Sequence, residues 1–275
     1  MPTTVHWRLS AVQVDQLWEF LKLGDYPFPI EVRSYGGSDV ERLALRGRVR
    51  DELRAARLLR GERLDADLEA ALRLLVRAEA WLDSVWLPDE HADSPMRVLA
   101  ARSGPAALLA LQLPGESEHT GGDLILREIH PSGLVAAVVG ELPAAPAGRR
   151  PPATAPASAF GGATRSTSDD TGGGVLISNS PRPSRSERDI AVFRDVLDAA
   201  HPRAGQIAAN HRDATGRRRR SPVLHWFDNA DDGRYLLIAE THRGEPEITL
   251  RPVDAHQLGT HVQAALNSVL PGIAG

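Results

Sequence analysis

Val223-Leu-His-Trp-Phe227, Tyr235-Leu-Leu-Ile-Ala239 and Glu247-Ile-Thr-Leu-Arg251 are three short apolar segments. Between them stand Asp228-Asn-Ala-Asp-Asp-Gly233 and Arg243-Gly-Glu-Pro246. Runs of Asp, Asn, Gly and Pro between β-favouring segments predict tight turns, so the three read as an antiparallel meander. Residues 206–210 supply a short strand before them, turned by Asp213-Ala-Thr-Gly216. Asp254 with Gln257 three residues on forms a capping-box signature. Leu258, Val262, Ala265, Leu266 and Val269 then fall on one face of a helix that Pro271-Gly272 ends. A meander followed by an amphipathic helix predicts an α+β fold, because the sheet needs a layer over at least one face.

The same order occurs earlier. Residues 96–101, 106–113 and 124–129 read as strands and 134–142 as a helix. Asp123-Leu-Ile-Leu-Arg127 overlays Glu247-Ile-Thr-Leu-Arg251 without a gap. That register pairs Leu126 with Leu250, Arg127 with Arg251, Leu134 with Leu258 and Val138 with Val262. An internal duplication with pseudo-two-fold symmetry is one reading; chance similarity of short apolar segments is the other.

Ahead of this, residues 4–9 alternate as a strand. Ser10 and Gln13 form a second capping box before a helix with Val14, Leu17, Trp18 and Leu21 inward, and Gly24 suits its end. Tyr26-Pro-Phe-Pro29 is extended, with Phe28 and Ile30 expected in the core. Residues 38–60 and 65–82 predict two amphipathic helices in a hairpin. The first carries Val40, Leu43, Val49 and Leu53; the second turns Leu68, Ala71, Leu72, Leu75 and Val76 inward.

Residues 143–186 differ in kind: 24 of the 44 are Pro, Gly, Ser or Thr. So little apolar area cannot offset the entropy of ordering, which predicts a flexible linker, with short ordering possible only at residues 175–177. The organisation expected is an N-terminal half 1–142, a linker 143–186 and a C-terminal half 187–275, the two halves forming one domain. The last half opens with a helix carrying Ile190, Phe193, Val196 and Leu197.

Composition narrows function. The chain has 32 basic and 36 acidic residues, formally −4, so nothing draws the whole molecule to nucleic acid or anionic lipid. Its apolar runs, such as residues 134–139, are too short to span a bilayer, and the first residues lack a signal-peptide pattern. The absence of cysteine excludes disulfides and thiolate chemistry and fits a cytoplasmic protein. No nucleophile elbow, phosphate loop or dinucleotide fingerprint occurs. His256 and His261 are five apart on a helix rather than four, and Asp228–Gly233 fails as a calcium loop because Ala230 and Ala239 replace ligands. No cofactor or metal is expected. Arg217-Arg-Arg-Arg220 reads either as a phosphate-binding patch or as a solvated hairpin end. Trp226 and Phe227 follow inside a strand rather than as exposed stacking residues, which favours the second.

The segments Arg217-Arg-Arg-Arg-Ser-Pro-Val-Leu-His-Trp-Phe-Asp228, Gly233-Arg-Tyr235 and Leu250-Arg-Pro-Val-Asp254 resemble the C-terminal half of EspG-type proteins. These are the chaperones of actinobacterial type VII (ESX) secretion. Leu17-Trp18, Leu23-Gly24, Tyr26-Pro27, Glu41-Arg42 and Trp81-Leu-Asp83 are similar to the family's opening, and Gly205-Gln-Ile207 to the start of its second sheet half. The order and spacing of these segments carry the resemblance, which covers nearly all of the chain outside 143–186. It implies a central antiparallel sheet flanked by two helical bundles with quasi-two-fold symmetry. It implies no enzymatic activity, but a cytoplasmic chaperone for the apolar helical tip of a PPE protein in a PE–PPE heterodimer. The family's binding surface uses the sheet, a loop between early strands and the C-terminal helices. Residues 87–95 match that loop but are few, and the 143–186 insert departs from a compact family core.

Partner contact is accordingly expected at Asp89, Glu90, His91 and Asp93 in the loop. On the sheet it is expected at His225, Phe227 and Glu240, because His225 shares a strand face with Val223 and Phe227 and Glu240 shares one with Leu236 and Ile238; the other reading is that both polar residues only mark strand ends. The acidic loop predicts basic residues beside the partner's apolar tip. Two alternatives stay open: a nucleic-acid or regulatory module built on Arg217–Arg220, and an enzyme whose site has no sequence signature.

Overall fold

Both capping boxes form. Ser10 Oγ accepts from Gln13 N and Gln13 Oε1 accepts from Ser10 N, opening α1 (Ala11–Phe20). Asp254 and Gln257 do the same at the start of α6 (Ala255–Val269). Between them the chain runs β1 (Trp7–Leu9), α1, α2 (Asp39–Ala55), β2 (Leu59–Arg60), β3 (Arg63–Leu64), α3 (Ala66–Arg77), β4 (Ala80–Leu87), β5 (Met96–Ser103), β6 (Ala106–Ser117) and β7 (Thr120–Glu128). It continues with α4 (Leu134–Gly140), β8 (Ala153–Pro156), α5 (Arg185–Leu197), β9 (Arg203–Arg212), β10 (Arg218–Arg220), β11 (Leu224–Asn229), β12 (Gly233–His242) and β13 (Glu245–Pro252) before α6. The structure is a computed structural model that describes residues 7–160, 185–242 and 244–271.

One antiparallel sheet organises the molecule in the order β1-β7-β6-β5-β4-β9-β11-β12-β13-β8, with β10 added on β9. The fold is α+β, as expected. Strand alternation gives the sheet two unlike faces. One carries Leu82, Trp86, Ala100, Leu109, Ile207, Trp226 and Leu236, and α4 and α6 cover it through Leu134, Val138, Leu258 and Val262. Over the opposite face, α1, α2 and α3 pack on the β1–β7–β6–β5 side around Trp18, Leu53, Leu72, Leu108 and Leu126. On that same face α5 covers the far end, where Phe193 and Val196 meet Ala153, Tyr235 and Leu250. The middle strands β4, β9 and β11 lie between these two helical covers.

Three expectations are corrected. The helix predicted over 65–82 stops at Arg77, and Leu82 lies in β4, the strand paired on both sides with β5 and β9. Two backbone ladders there outweigh the helical spacing of single residues. The helix predicted over 38–60 ends at Ala55, and residues 59–64 make the β2–β3 hairpin with Gly61 at φ +62°. Of its apolar residues Val49 and Leu53 are buried, whereas Val40 and Leu43 on its first turns are exposed.

The third correction concerns the expected linker 143–186. Its first part is packed. Ala153–Pro156 pair with β13, and Ala153 and Ala155 are buried. Their small side chains fit under α5, and backbone hydrogen bonds supply what apolar area does not. Residues 161–184, including the candidate ordering at 175–177, lie outside the described residues.

Tyr235 fastens this packed segment. Its buried hydroxyl accepts from Arg150 N at 3.0 Å and donates to Asp232. Burial, helped by the Asp232 bond, pushes its pKa up to about 12. A pKa raised in the folded state means stability that is complete below the unfolded value near 10 and lost as pH climbs through 12. Urea denaturation should therefore show stability falling between pH 10 and 12. In Tyr235→Phe that decline should flatten and the residues around Arg150 should lose amide protection.

Candidate protein-binding cleft

The uncovered middle of the sheet is the floor of a cleft of about 640 Å³. Pairing fixes which side chains share it. Arg97 pairs with Val85, Val85 with Gln206, Gln206 with His225 and His225 with Leu237, so all five point to the same face. Phe28 and Pro29 stand on the α1–α3 side, Leu197 and His201 on the α5 side, and Leu87 and Pro95 at one end. Phe28, Leu87 and Leu197 are 50 %, 40 % and 36 % exposed. Apolar side chains from a connector, a strand end and a helix end thus converge on one opening. Exposed apolar side chains gathered at one opening differ from the singly scattered ones that are normal on a surface.

The Phe28 wall is held in place by Gln112. Its side chain accepts from Glu31 N at 2.9 Å and donates to Glu31 O at 2.7 Å, imitating a strand pair across the sheet. Gly121 N also donates to Glu31 O, and a Cβ at Gly121 would stand 2.0 Å from the Gln112 amide. On the opposite wall His201 lies 4.3 Å from the Phe227 ring and hydrogen-bonds the Val196 carbonyl, tying the end of α5 to β11.

The sequence-predicted residues fall in three places. Asp89, Glu90, His91 and Asp93 are all exposed on the β4–β5 loop beside Leu87, with His91 3.4 Å from Glu90. His225 is exposed on the cleft floor, while Phe227 is 5 % exposed and packs mainly in the core beneath α5. Glu240 is exposed but belongs to the other face. Leu237 pairs with His225, whereas Glu240 shares the opposite face with Leu236 and Ile238, the side that α6 covers. The sheet candidates therefore do not converge, and His225, Asp228 and Glu240 form no common pocket. Asp228 is buried against Arg234 at 2.7 Å and Arg203 at 2.9 Å.

The arginine run closes the opposite end. Tyr26, Phe28, Trp81, Arg212 and Arg218–Arg220 line an adjoining hollow that shares Phe28 with the cleft. Arg220 makes a two-pronged pair with buried Asp83, at 2.7 and 2.9 Å, and donates to Asn210 at 3.0 Å. Burial is the largest influence on Asp83 and raises its pKa against the pull of Arg220 and Asn210. Arg212 reaches the Val76 carbonyl and stacks over Trp81. The cleft thus has a mixed floor, with Leu87 and Pro95 flanking the acidic loop in sequence, and it shares Phe28 with the hollow lined by the basic strand. Among the described residues no cluster of three or more His, Asp or Glu is placed to hold a metal, and no helix is long and apolar enough to cross a membrane.

The EspG family model matches residues 10–264. The chain belongs to the EspG family. No curated protein matches it. Among solved structures, the Mycobacterium tuberculosis type VII secretion system chaperone EspG5, in complex with a PE25-PPE41 dimer, shares the fold at TM-score 0.64. Identity is 14 %, and 97 % of each chain is covered. This member thus has the family fold, with the helix-free strip of its sheet left open. Leu87 opens the loop 87–95 expected from the sequence to meet the partner, whereas Phe28, Leu197 and Arg97 are not singled out by the sequence as site residues. Alternation in Met96-Arg-Val-Leu-Ala-Ala-Arg102 places an arginine on one strand face, but only the helices' positions reveal that the face is open there.

Proposed function

We propose that this EspG-family protein is a cytoplasmic chaperone of type VII secretion, not an enzyme. It would hold the helical tip of a PPE-type protein within a PE–PPE heterodimer. The observation that carries the reading is the convergence of Phe28, Leu87 and Leu197 on a cleft whose floor is bare sheet. An apolar helix tip laid there covers its own sticky surface and that of the cleft at once. The complex described for EspG5 supports the same class of partner. In this reading Asp89, Glu90 and Asp93, exposed on the loop that follows Leu87, would supply the acidic rim and His225 a contact on the floor; Glu240, on the α6 side, would need a partner that wraps the sheet.

We also infer that the two halves are a repeat, with β1–α4 equivalent to β8–α6. Support comes from the ladder itself. Taking Leu126 as equivalent to Leu250, successive pairings make Ala110 equivalent to Leu237, Leu99 to His225 and Asp83 to Gln206. The next pair, Ser84 and Ile207, face each other across β4 and β9, where a two-fold axis would pass. The outermost strands agree: Trp7 lies opposite Leu126 and Ala153 opposite Leu250. In this reading α4 and α6 form one bundle across the axis.

Co-expression with each PE–PPE pair of the same genome tests the function. One pair should co-purify as a ternary complex on size exclusion and precipitate when expressed without the chaperone. Retention of nucleic acid alone, or of no pair at all, would refute the reading.

A further inference from the structure

Arg97 is 3 % exposed, yet its guanidinium has only neutral partners. It donates to Pro95 O at 3.2 Å and to Glu118 O, and makes no ion pair with any described residue. The other deeply buried charges are treated differently. Arg234 is matched by Asp228, and Asp83 by Arg220. Carbonyls satisfy hydrogen bonds without neutralising charge, so Arg97 bears a desolvation cost that the free protein leaves uncompensated. Burial accordingly pulls its pKa down, and Glu31, exposed on the rim and out of ion-pair reach, opposes that shift. Arg97 lines the cleft beside Val85, and Phe28 and Leu87 are among the other residues that line it.

Building on the chaperone reading, we propose that the cleft contains a carboxylate-recognition site at Arg97, filled by an Asp or Glu side chain within the apolar helical tip of the partner. Planar, two-pronged pairing with a carboxylate is what a guanidinium offers best. Apolar walls strengthen the pair by excluding water. The acidic loop gives the pattern a second part: one acid at the centre of the tip and bases around it. A partner with a neutral or basic residue at the centre would leave Arg97 unpaired or repelled, which discriminates between otherwise similar apolar tips.

The test uses a PE–PPE heterodimer that binds the parent chain, with each tip Asp or Glu changed in turn to Asn or Gln, against Arg97→Met and Arg97→Lys, by calorimetry. Arg97→Met should weaken binding about 30-fold or more. One tip substitution should weaken the parent complex similarly and have little further effect on Arg97→Met. Arg97→Lys keeps the charge but not the fork, and should lose about 10-fold, only with the carboxylate-bearing tip. It carries the cycle if Arg97→Met fails to fold. A purely structural arginine would lower thermal stability without coupling to any one partner acid, and absence of coupling overturns the proposal. If no heterodimer binds the parent, the chaperone reading fails separately. The site is then judged by N-acetyl-Leu-Glu-Leu-Leu-amide against its Gln counterpart, read on the Arg97 Nε–H resonance. A shift with the Glu peptide alone sustains the site; no shift, or the same shift with both, removes it.

Discussion

Changing Phe28, Leu87 and Leu197 together to Asp is expected to weaken binding of a PE–PPE heterodimer by at least about 100-fold, with thermal stability nearly unchanged. The three are half to one-third exposed, so each forfeits little packing in the free protein. In the complex each would become a central apolar anchor, where truncation alone costs about 2 kcal/mol or more and a buried carboxylate costs further. The built-in control is α2. Val40 and Leu43 are still more exposed, at 78 % and 67 %, but stand away from the cleft. Val40→Asp with Leu43→Asp should bind as the parent does. The opposite pattern, with the cleft variant binding normally and the α2 variant failing, would move the surface to the α1–α2 side.

What the sequence made legible was local. Ser10 with Gln13 and Asp254 with Gln257 mark helix starts because a cap is decided by residues three apart. The meander from β11 to β13 was readable because its turns are rich in Asp, Asn and Gly. The face shared by His225 and Phe227 was readable too, as was that of Glu240 with Leu236 and Ile238. Putting those faces on opposite sides needed the pairing of His225 with Leu237, which alternation within single strands does not contain. β8 was hidden because it is held by backbone bonds and two alanines, a signal with no hydrophobic amplitude. Phe28 reads as core in any one-dimensional view. Its exposure follows from Gln112 clasping Glu31 from across 81 residues of sequence. The cleft itself is a gap between α1–α3 and α5, and a gap between distant elements leaves no mark on either.

Arg220→Ala should destabilise the protein by about 3 kcal/mol, while Arg218→Ala and Arg219→Ala should each change stability by less than about 0.5 kcal/mol. All four arginines of the run look alike in sequence. Among the described residues only Arg220 of the run has a buried partner: the Asp83 side chain is 1 % exposed, and of its three hydrogen bonds two come from that guanidinium and one from Asn210 at 2.6 Å. Removing Arg220 leaves a carboxylate buried in the central strand with a single amide donor. The pH dependence identifies this cause. Burial already raises the Asp83 pKa, and loss of Arg220 removes the largest opposing influence and raises it further. A raised folded-state pKa means that protonation favours the folded form. The penalty in Arg220→Ala should therefore be full above that pKa, shrink as pH falls through it, and be smallest near the unfolded value of about 4. Asp83→Asn in the Arg220→Ala background should recover part of the loss at pH 7, because it replaces the unpaired charge with a neutral amide. Equal effects from all four arginines, with no pH dependence, would return the run to the status of a uniform anion-binding patch.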